Sequence, residues 1–314
     1  MAFDLQVFNK QTQTVITETV AQEVNKFNAA SAGAIVLQTK PAEGDFDITA
    51  SFKSISGLVR TRNVDGNGTV APKRLQQLKE ASVKVAAGTP PIEYVPAEYA
   101  WILKNQELAA IKIGEQLAKD RMAHMLNRAI SATASAIGGQ STAKFGDGTG
   151  APSFDMLNSG AALFGDRSSA LRAWVMHSTT AHKLYANALA NAERLFSYEG
   201  VNVMRDPWGR VFIVTDSDSL IDISKYKTLG LVSGAVMVSD NADFYATLQE
   251  QTGSENIKAT YQAEWSYNIG VQGYTWDMTA GGRSPSDTAL GTSSNWAKTA
   301  TSIKDTAGVL VLSA

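Results

Sequence analysis

Cysteine is absent from this 314-residue chain, which excludes disulfide bonds, thiolate metal sites and cysteine nucleophiles together. Long apolar runs are missing as well, because no stretch approaches the roughly eighteen apolar residues that span a membrane. The opening sequence Met1-Ala-Phe-Asp-Leu-Gln6 lacks the charged-then-apolar order of a signal peptide. We therefore expect a globular protein that stays in the cytosol where it is made and whose stability comes from packing or assembly.

A strong net charge is also lacking. The formal net charge is −2, which argues against a dedicated nucleic-acid binder held by a basic surface. The charge is nevertheless unevenly spread, because residues 51–84 carry seven basic and two acidic residues, a local +5 that leaves −7 for the rest. Such a segment can bind polyanions, lie on the acidic surface of an identical neighbour, or be a solvated loop. The basic residues are Lys53, Arg60, Arg62, Lys73, Arg74, Lys79 and Lys84.

Residues 96–137 predict one long helix. Pro96 suits a first helical turn, Gly114 is the single interior glycine, and Gly138-Gly139 ends the run of good helix formers. At ~1.5 Å per residue such a helix measures about 60 Å, which is longer than an ordinary domain is wide. Apolar residues recur at three- and four-residue spacing with charged residues between them, so the pattern predicts a strut with one packed and one wet side.

Two kinds of segment precede this helix. Residues 8–30 predict an amphipathic arm helix, and residues 34–37 a short apolar strand. Residues 45–95 contain strand-like runs at 46–52 and 82–86, separated by the turn Asn63-Val-Asp-Gly-Asn-Gly68. A two-stranded ribbon has too little core to be stable alone in water, so we expect it to be stabilised by contact with another surface.

Alternating strands and short helices follow the long helix and predict a compact α/β lobe. Ser153 is the predicted cap of a helix over 154–164. Residues 257–278 predict an extended strand, on which Tyr261 and every second residue to Val271 share one face. Residues 279–302 read as a loose polar stretch, and the final strand at 308–312 is expected to pair into the sheet that contains the 261–277 strand.

Three segments imitate ligand sites without completing them. Asn63–Gly68 has the spacing of the first half of a calcium loop, but Arg74 occupies the twelfth position, where a glutamate is required. We therefore predict a hairpin turn there. Asp216-Ser-Asp218 and Phe145–Gly150 have no phosphate-binding fingerprint around them.

Histidine and serine also fail to form a catalytic pattern. His177 adjoins Ser178, and neighbours on a strand point to opposite faces, so His177 is badly placed as a base for Ser178. His182 follows His177 by five residues, which does not put two ligands on one helical face. We predict a strand-to-helix turn capped by a hydroxyl, a packed or surface role for His124, and no enzyme activity, cofactor or metal.

Seven short local sequences follow one another along the chain. They are Gly33–Leu37, Arg60–Asn63, Phe154–Leu157, Gly165-Asp166, Ala173–Ser178, Ile213–Asp216 and Tyr267–Tyr274. Together they mark an amphipathic arm, a basic hairpin, a strut helix, an α/β lobe and a long return strand. This order resembles that of the major capsid proteins of tailed bacteriophages with the Hong Kong 97-type fold.

The resemblance implies an α+β fold with an N-terminal arm, an extended β-hairpin loop, a long spine helix, a peripheral domain and an axial α/β domain. The implied bounds are 1–44 for the arm, 45–95 for the loop, 96–140 for the spine helix, 141–245 for the axial domain and 246–314 for the return strands of the peripheral domain. The implied function is that of a structural virion protein, which assembles in the host cytoplasm as hexamers and pentamers into an icosahedral capsid around phage double-stranded DNA.

The implied partners are further copies of the chain, a portal, a decoration protein and a separate scaffolding protein, since no scaffold-like stretch precedes the arm. Contact with packaged DNA is expected to be non-specific, and no membrane is involved. Lys53 and Lys79 are ordinary lysines on this sequence, so covalent cross-linking does not carry over. The expected inter-subunit contacts are Arg60, Arg62, Lys73, Arg74 and Lys79 in the hairpin and Val20, Val24 and Phe27 in the arm.

Two alternatives stay open at this stage. The first is a subunit of another self-assembling shell or tube, such as an encapsulating compartment or a tail tube. The second is an α/β hydrolase-like enzyme that uses Ser178 or His177.

Overall fold

The computed structural model describes residues 5–41, 44–52, 58–74, 77–95, 106–184, 193–198, 201–205 and 211–314. These residues form five α-helices, several single turns of 3-10 helix and seventeen strands. The helices are α1 (Leu5–Ala30), α2 (Gln106–Gly138), α3 (Phe154–Ala162), α4 (Ser178–Leu184) and α5 (Asp287–Leu290). The strands are β1 (Ile35–Thr39), β2 (Phe46–Phe52), β3 (Gln77–Gly88), β4 (Ile92–Tyr94), β5 (Lys144–Phe145), β6 (Leu171–His177), β7 (Glu193–Tyr198), β8 (Val201–Arg205), β9 (Val211–Thr215), β10 (Ile221–Asp222), β11 (Lys225–Val232), β12 (Val236–Asp240), β13 (Tyr245–Gln251), β14 (Lys258–Val271), β15 (Tyr274–Trp276), β16 (Trp296–Lys298) and β17 (Gly308–Ser313).

The arm helix α1 is tied to the strand that follows it by one side chain. Asn28 Nδ2 donates to the carbonyl of Leu37 at 2.6 Å, and its Oδ1 accepts from the Leu37 N–H at 2.9 Å. Gly33 adopts φ +67°, the left-handed conformation in which chains commonly leave a helix. The predicted arm helix and the strand after it are therefore both present.

A seven-stranded sheet forms the first half of the core. Its order is β1-β12-β14-β3-β2, and β13 and β4 also pair with β14. β1 runs parallel to β12, whereas the other pairings are antiparallel. The predicted face of β14, every second residue from Tyr261 to Val271, is buried throughout. β14 is therefore the strand around which the first sheet is organised.

An eight-stranded sheet forms the other half. Its order is β5-β17-β11-β6-β9-β8-β7, with β10 paired to β11. The expectation that the final strand joins the sheet of the 261–277 strand is wrong, because β17 lies between β11 and β5 in the second sheet. A Cβ at Gly308 would lie 1.9 Å from the carbonyl oxygen of Gly230, so glycine at this position permits the close approach of β17 to β11. Nearly all of β17 is buried, as in a central strand.

The long helix α2 is only partly a strut. Residues 96–105, at the start of the predicted helix, lie outside the described residues, and the described part runs for 33 residues. Ile111, Lys112, Gln116 and Asp120 are exposed, as an amphipathic helix predicts. From Arg121 to Gly138, however, every residue is buried or half-buried, and the helix contacts strands of both sheets. The expectation of a wet side is wrong for this half, where residues 129–138 are all small or apolar and carry no charge.

The predicted loose stretch at 279–302 is also more ordered than expected. β15 pairs with β16, and the rings of Trp276 and Trp296 meet edge to face with centroids 4.9 Å apart. Trp276 Nε1 donates to the Gly282 carbonyl at 2.9 Å, and Trp296 Nε1 donates to the Leu290 carbonyl at 3.1 Å. The two indoles therefore fasten this stretch to the core.

The two sheets do not divide at the boundary expected at residue 245. β12, at 236–240, already belongs to the first sheet, and β17 returns to the second. Among the described residues, no helix combines the length and the apolar character that crossing a membrane requires.

Candidate inter-subunit surface

The base of the hairpin is part of the first sheet rather than a free ribbon. β2 and β3 pair from Phe46 opposite Val83 to Phe52 opposite Gln77, and β3 pairs on its other side with β14. Val83 and Val85 face the core and are buried. We expected the ribbon to be stabilised by contact with another surface, and for its base that surface is β14 of the same chain.

The tip segment, which we define as residues 58–74, is different. Every residue in it is exposed and none belongs to a helix or strand. Four aliphatic side chains are 51–93% exposed, namely those of Leu58, Val59, Val64 and Val70. Asn63 Oδ1 accepts the Asp65 N–H at 3.0 Å, as in an Asx turn. Among the described residues, no group of three or more histidines and carboxylates is arranged to hold a metal.

The structure gathers four of the five predicted basic contact residues on the tip segment. Arg60, Arg62, Lys73 and Arg74 are all exposed there, and with Asp65 as the only acid they give the segment a net charge of +3, from four basic residues and one acidic residue. The fifth, Lys79, is exposed on β3 opposite Ala50. The tip therefore combines aliphatic exposure with positive charge.

The three predicted arm contacts lie elsewhere. Phe27 and Val20 are buried within the core of the chain itself, at 0% and 7% exposure. Val24 is half-buried and lines a cavity of about 150 Å³ with Val20, Met125 and Phe244. Burial inside the chain explains the apolar character of Val20 and Phe27 without any neighbour. An amphipathic pattern shows that a face is covered, but it does not show by which chain.

An acidic cleft of about 630 Å³ opens on the first sheet and was not found by sequence reasoning. Asp45, Asp243 and Glu264 line it together with Lys84. Asp243 accepts the Ser266 N–H at 2.7 Å and also the Ser266 hydroxyl, and Lys84 Nζ lies 3.8 Å from Asp243 Oδ2. Its acids come from separate segments of the chain, and no linear motif joins them.

Two polar contacts join α2 to the first sheet. Arg121 donates to Asp240 Oδ2 at 2.6 Å, and both side chains are largely buried. The Arg121 guanidinium also lies over the rings of Phe244 and Trp265, 5.4 and 5.6 Å from their centroids. This pair fixes α2 against β12 and against the aromatic side chains next to it.

The second contact is a hydrogen bond between His124 Nδ1 and the Tyr267 hydroxyl, at 2.9 Å. Burial lowers the pKa of His124, the nearby Arg128 lowers it further, and Asp287 opposes the shift. Arg128 is itself paired with Asp287 at 2.6 Å. Burial raises the pKa of Tyr267, so its hydroxyl stays protonated. His124 is therefore a packed histidine that joins the helix to β14.

The residues of the hydrolase alternative are arranged as a helix start. His177 Nδ1 accepts the Thr179 N–H at 3.1 Å, and Ser178 is the first residue of α4. The imidazole takes the capping position that we assigned to a hydroxyl. His177 Nε2 is 3.8 Å from Asp216 Oδ1, on a carboxylate that is 70% exposed. This geometry gives Ser178 no base in His177.

Three solved structures are similar to the chain over most of its length. The one described as Mycobacterium phage Bobi is 10% identical and covers 94% of this chain and 90% of that chain, with a TM-score of 0.50. The one described as the Cyanophage Pam1 capsid asymmetric unit is 11% identical and covers 87% and 85%, with a TM-score of 0.48. The one described as the capsid of Myoviridae Phage XM1 is 13% identical and covers 90% of each chain, with a TM-score of 0.46. The similarity to the phage Bobi structure confirms the expected capsid fold of mixed helices and sheets.

No curated protein sequence matches the chain. Residues 4–310, however, match the family described as Gp13-like, Major capsid protein 13-like. The match extends from the arm helix through the tip segment, α2 and both sheets to β17. The chain therefore belongs to the Gp13-like family of major capsid proteins and is a structural subunit of a phage capsid.

Proposed function

We propose that this capsid subunit assembles as hexamers and pentamers into an icosahedral shell that encloses phage double-stranded DNA. The observation that carries the proposal is the tip segment, where four aliphatic and four basic side chains are exposed together on an extended loop. Apolar surface contributes about 25 cal/mol per Å² when it leaves water, so a neighbour that covers the tip stabilises the assembly. The portal, scaffolding and decoration partners, and assembly in the host cytoplasm, belong to the same proposal.

The architecture suggests a role for each part. We assign the first sheet with α2 to the peripheral domain and the second sheet to the axial domain that gathers around the five- and six-fold positions. In this assignment β12 belongs to the peripheral domain and β17 to the axial domain. The segment 45–95 remains the loop that lies over a neighbouring subunit, and residues 1–44 remain the arm.

The acidic cleft is the surface that we propose receives the neighbour's tip segment. Asp45, Asp243 and Glu264 bring negative charge to a concave surface, which Lys84 and Arg283, 3.8 Å from Asp243 and Asp45 respectively, partly offset. The tip presents a net charge of +3. Opposite potentials favour association and fix its register more than they add affinity. Glu264 is exposed on β14, so it is available to a second chain.

Charge reversal tests this docking. Arg60→Glu with Arg62→Glu should leave the melting temperature of the subunit within about 2 °C, because exposed substitutions rarely matter to folding. The same variant should form no shells in sedimentation and negative-stain electron microscopy. The matched control, Arg60→Lys with Arg62→Lys, keeps the charge and should assemble.

A third variant locates the acceptor. Adding Glu264→Lys to the reversed tip should restore part of the shell yield if the acidic cleft receives it. Normal shells from the Arg60→Glu, Arg62→Glu variant would refute tip docking. A wild-type chain that stays a monomer at high concentration, alone and with the neighbouring gene products, would refute self-assembly itself.

Two other functions have less support. A tail tube or an encapsulating compartment would use an exposed tip in the same way, and the contents and shape of the particles distinguish them. The hydrolase alternative would need turnover that is lost in Ser178→Ala, and the capped position of His177 does not favour it. The family match favours a structural role without catalysis.

A further inference from the structure

The β10–β11 hairpin has a two-residue loop with an unusual occupant. Asp222 pairs with Lys225 across the hairpin, so Ile223 and Ser224 form the loop. Ile223 adopts φ +59°. Two-residue hairpin loops with positive φ at their first residue normally have glycine there, because a branched Cβ is strained in that conformation. Isoleucine is therefore a poor choice for the turn itself.

The side chain of Ile223 is also almost completely exposed. Its 98% exposure is the highest of the large apolar residues exposed in the described parts of the chain. An isolated exposed aliphatic residue is ordinary on a protein surface, but one that also strains the backbone has two disadvantages at once. The exposed Ile223 side chain itself gains little packing within its own subunit, and the turn conformation disfavours it.

The structure around the loop holds it in place from two sides. Lys225 Nζ donates to the Asp147 carbonyl at 2.8 Å, and a Cβ at Gly148 would lie 2.5 Å from Lys225 Cδ, so the lysine stem is closely packed. The ring of Tyr226, the next residue, contacts that of His177 at a tilt of 39°, with centroids 5.4 Å apart, and lies beneath Lys183 Nζ at 5.0 Å. Strained residues persist where their surroundings determine the conformation, and they cluster at functional positions.

We propose that Ile223 is an inter-subunit contact, a rigidly presented aliphatic side chain that packs against a second copy of this chain in the shell. This contact presupposes the self-assembly proposed above. The cations beside the loop are engaged within the subunit, Lys227 with Asp222 at 3.9 Å and Lys225 with the Asp147 carbonyl at 2.8 Å, so they are poorly placed to bind DNA phosphates. Single apolar side chains that enter a desolvated pocket are the residues that dominate interface energetics. A second copy of the chain can bind an apolar side chain in this way, and it does not require free positive charge beside the loop.

The test uses substitutions with opposite effects on the subunit and on the shell. Ile223→Gly removes the backbone strain and the exposed side chain, so we expect the subunit to melt at the same or a higher temperature than wild type. The protein concentration needed for shell formation should nevertheless rise at least about tenfold, which corresponds to roughly 1.4 kcal/mol. Ile223→Asn accepts the same positive φ without the flexibility of glycine and should behave alike. Ile223→Leu keeps an aliphatic group and should assemble most nearly like wild type.

Three results would contradict these proposals, two of them the contact and the third the proposed function. Wild-type assembly by either Ile223→Gly or Ile223→Asn would overturn the contact, because an aliphatic side chain would then be unnecessary. A marked fall in the subunit melting temperature of Ile223→Gly would also overturn it, because the side chain would then serve the fold of its own chain. Failure of the wild-type chain to form shells would instead reject the proposed function, so the two failures are distinguishable.

Discussion

The second half of α2 (residues 121–138) and the tip segment differ in what surrounds them. The helix is buried or half-buried at every residue and contacts both sheets, whereas the tip is exposed at every residue. Burial on all sides means that substitutions in the helix act on the folding of the subunit. Exposure on all sides means that substitutions in the tip act on what the subunit binds. Folding and assembly are thus assigned to separate residues of one chain, and variants can separate them.

The largest expected effect comes from the buried ion pair that fixes α2. Asp240→Asn leaves the guanidinium of Arg121 buried without its counter-charge, and breaking such a pair destabilises by about 3–5 kcal/mol. Asparagine keeps the Oδ1 that accepts the Ala242 N–H at 3.0 Å, so the local turn is spared. Chemical denaturation of the subunit measures the loss.

Removing the stranded charge as well provides the control for this variant. Arg121→Met combined with Asp240→Asn should recover much of the lost stability, because no buried charge remains. A single variant within about 1 kcal/mol of wild type would show that the pair is effectively solvated. The Arg121–Asp240 ion pair would then not be an example of a helix contact that determines the stability of the subunit.

A pair of truncations tests the same comparison through packing. Ile130→Ala, at a side chain that is 1% exposed, should lower the free energy of unfolding by roughly 2–5 kcal/mol through lost burial and the cavity left behind. Val59→Ala, at a side chain that is 93% exposed, should change it by less than about 0.5 kcal/mol. Denaturation midpoints and shell yields, measured on both variants, should rank them in opposite orders. Equal destabilisation would mean that the tip packs on its own subunit.

The sequence predicts the positions of helices and strands better than it predicts which of them pack or pair together. The period-two face of β14, the arm helix and the Ser153 cap of α3 follow from local patterns, and the structure has all three. The place of β17 does not follow from them, because it depends on glycines that meet across strands far apart in sequence. The uncharged residues 129–138 indicate that this part of α2 is buried. The amphipathic pattern of the first half of the helix predicts an exposed side, and we extended that expectation to the whole helix.

The contact residues divide in the same way. Clustering of Arg60, Arg62, Lys73 and Arg74 is visible in the sequence because one loop carries them all. The acidic cleft is not visible there, because three separate segments build it. Ile223 could be noticed only once its backbone conformation was known, since an isoleucine between Asp222 and Ser224 breaks no composition rule.

The smallest expected effect concerns pH and acts through His124. Because burial lowers the pKa of His124 in the folded chain, the unfolded chain holds a proton at pH values where the folded chain does not. The stability contributed by the neutral ring is therefore fully present above the unfolded value of 6.5 and is lost as pH falls through the folded pKa. Protonation also puts a second positive charge beside Arg128, while Asp287 partly offsets the repulsion.

Urea denaturation at pH 7.5 and at pH 5.5 measures how much stability is lost when His124 is protonated. The variant His124→Gln can still hydrogen-bond Tyr267 and should reduce the difference in the free energy of unfolding between the two pH values. An unchanged difference would assign the pH dependence to other groups. Assembly through the tip depends on exposed charges, so it should respond to salt, which screens such charges within about 10 Å at 0.1 M. If the shell yield depends on pH but not on salt, assembly depends on His124 and α2 rather than on the tip segment. The separation of folding and assembly between the two regions would then be wrong.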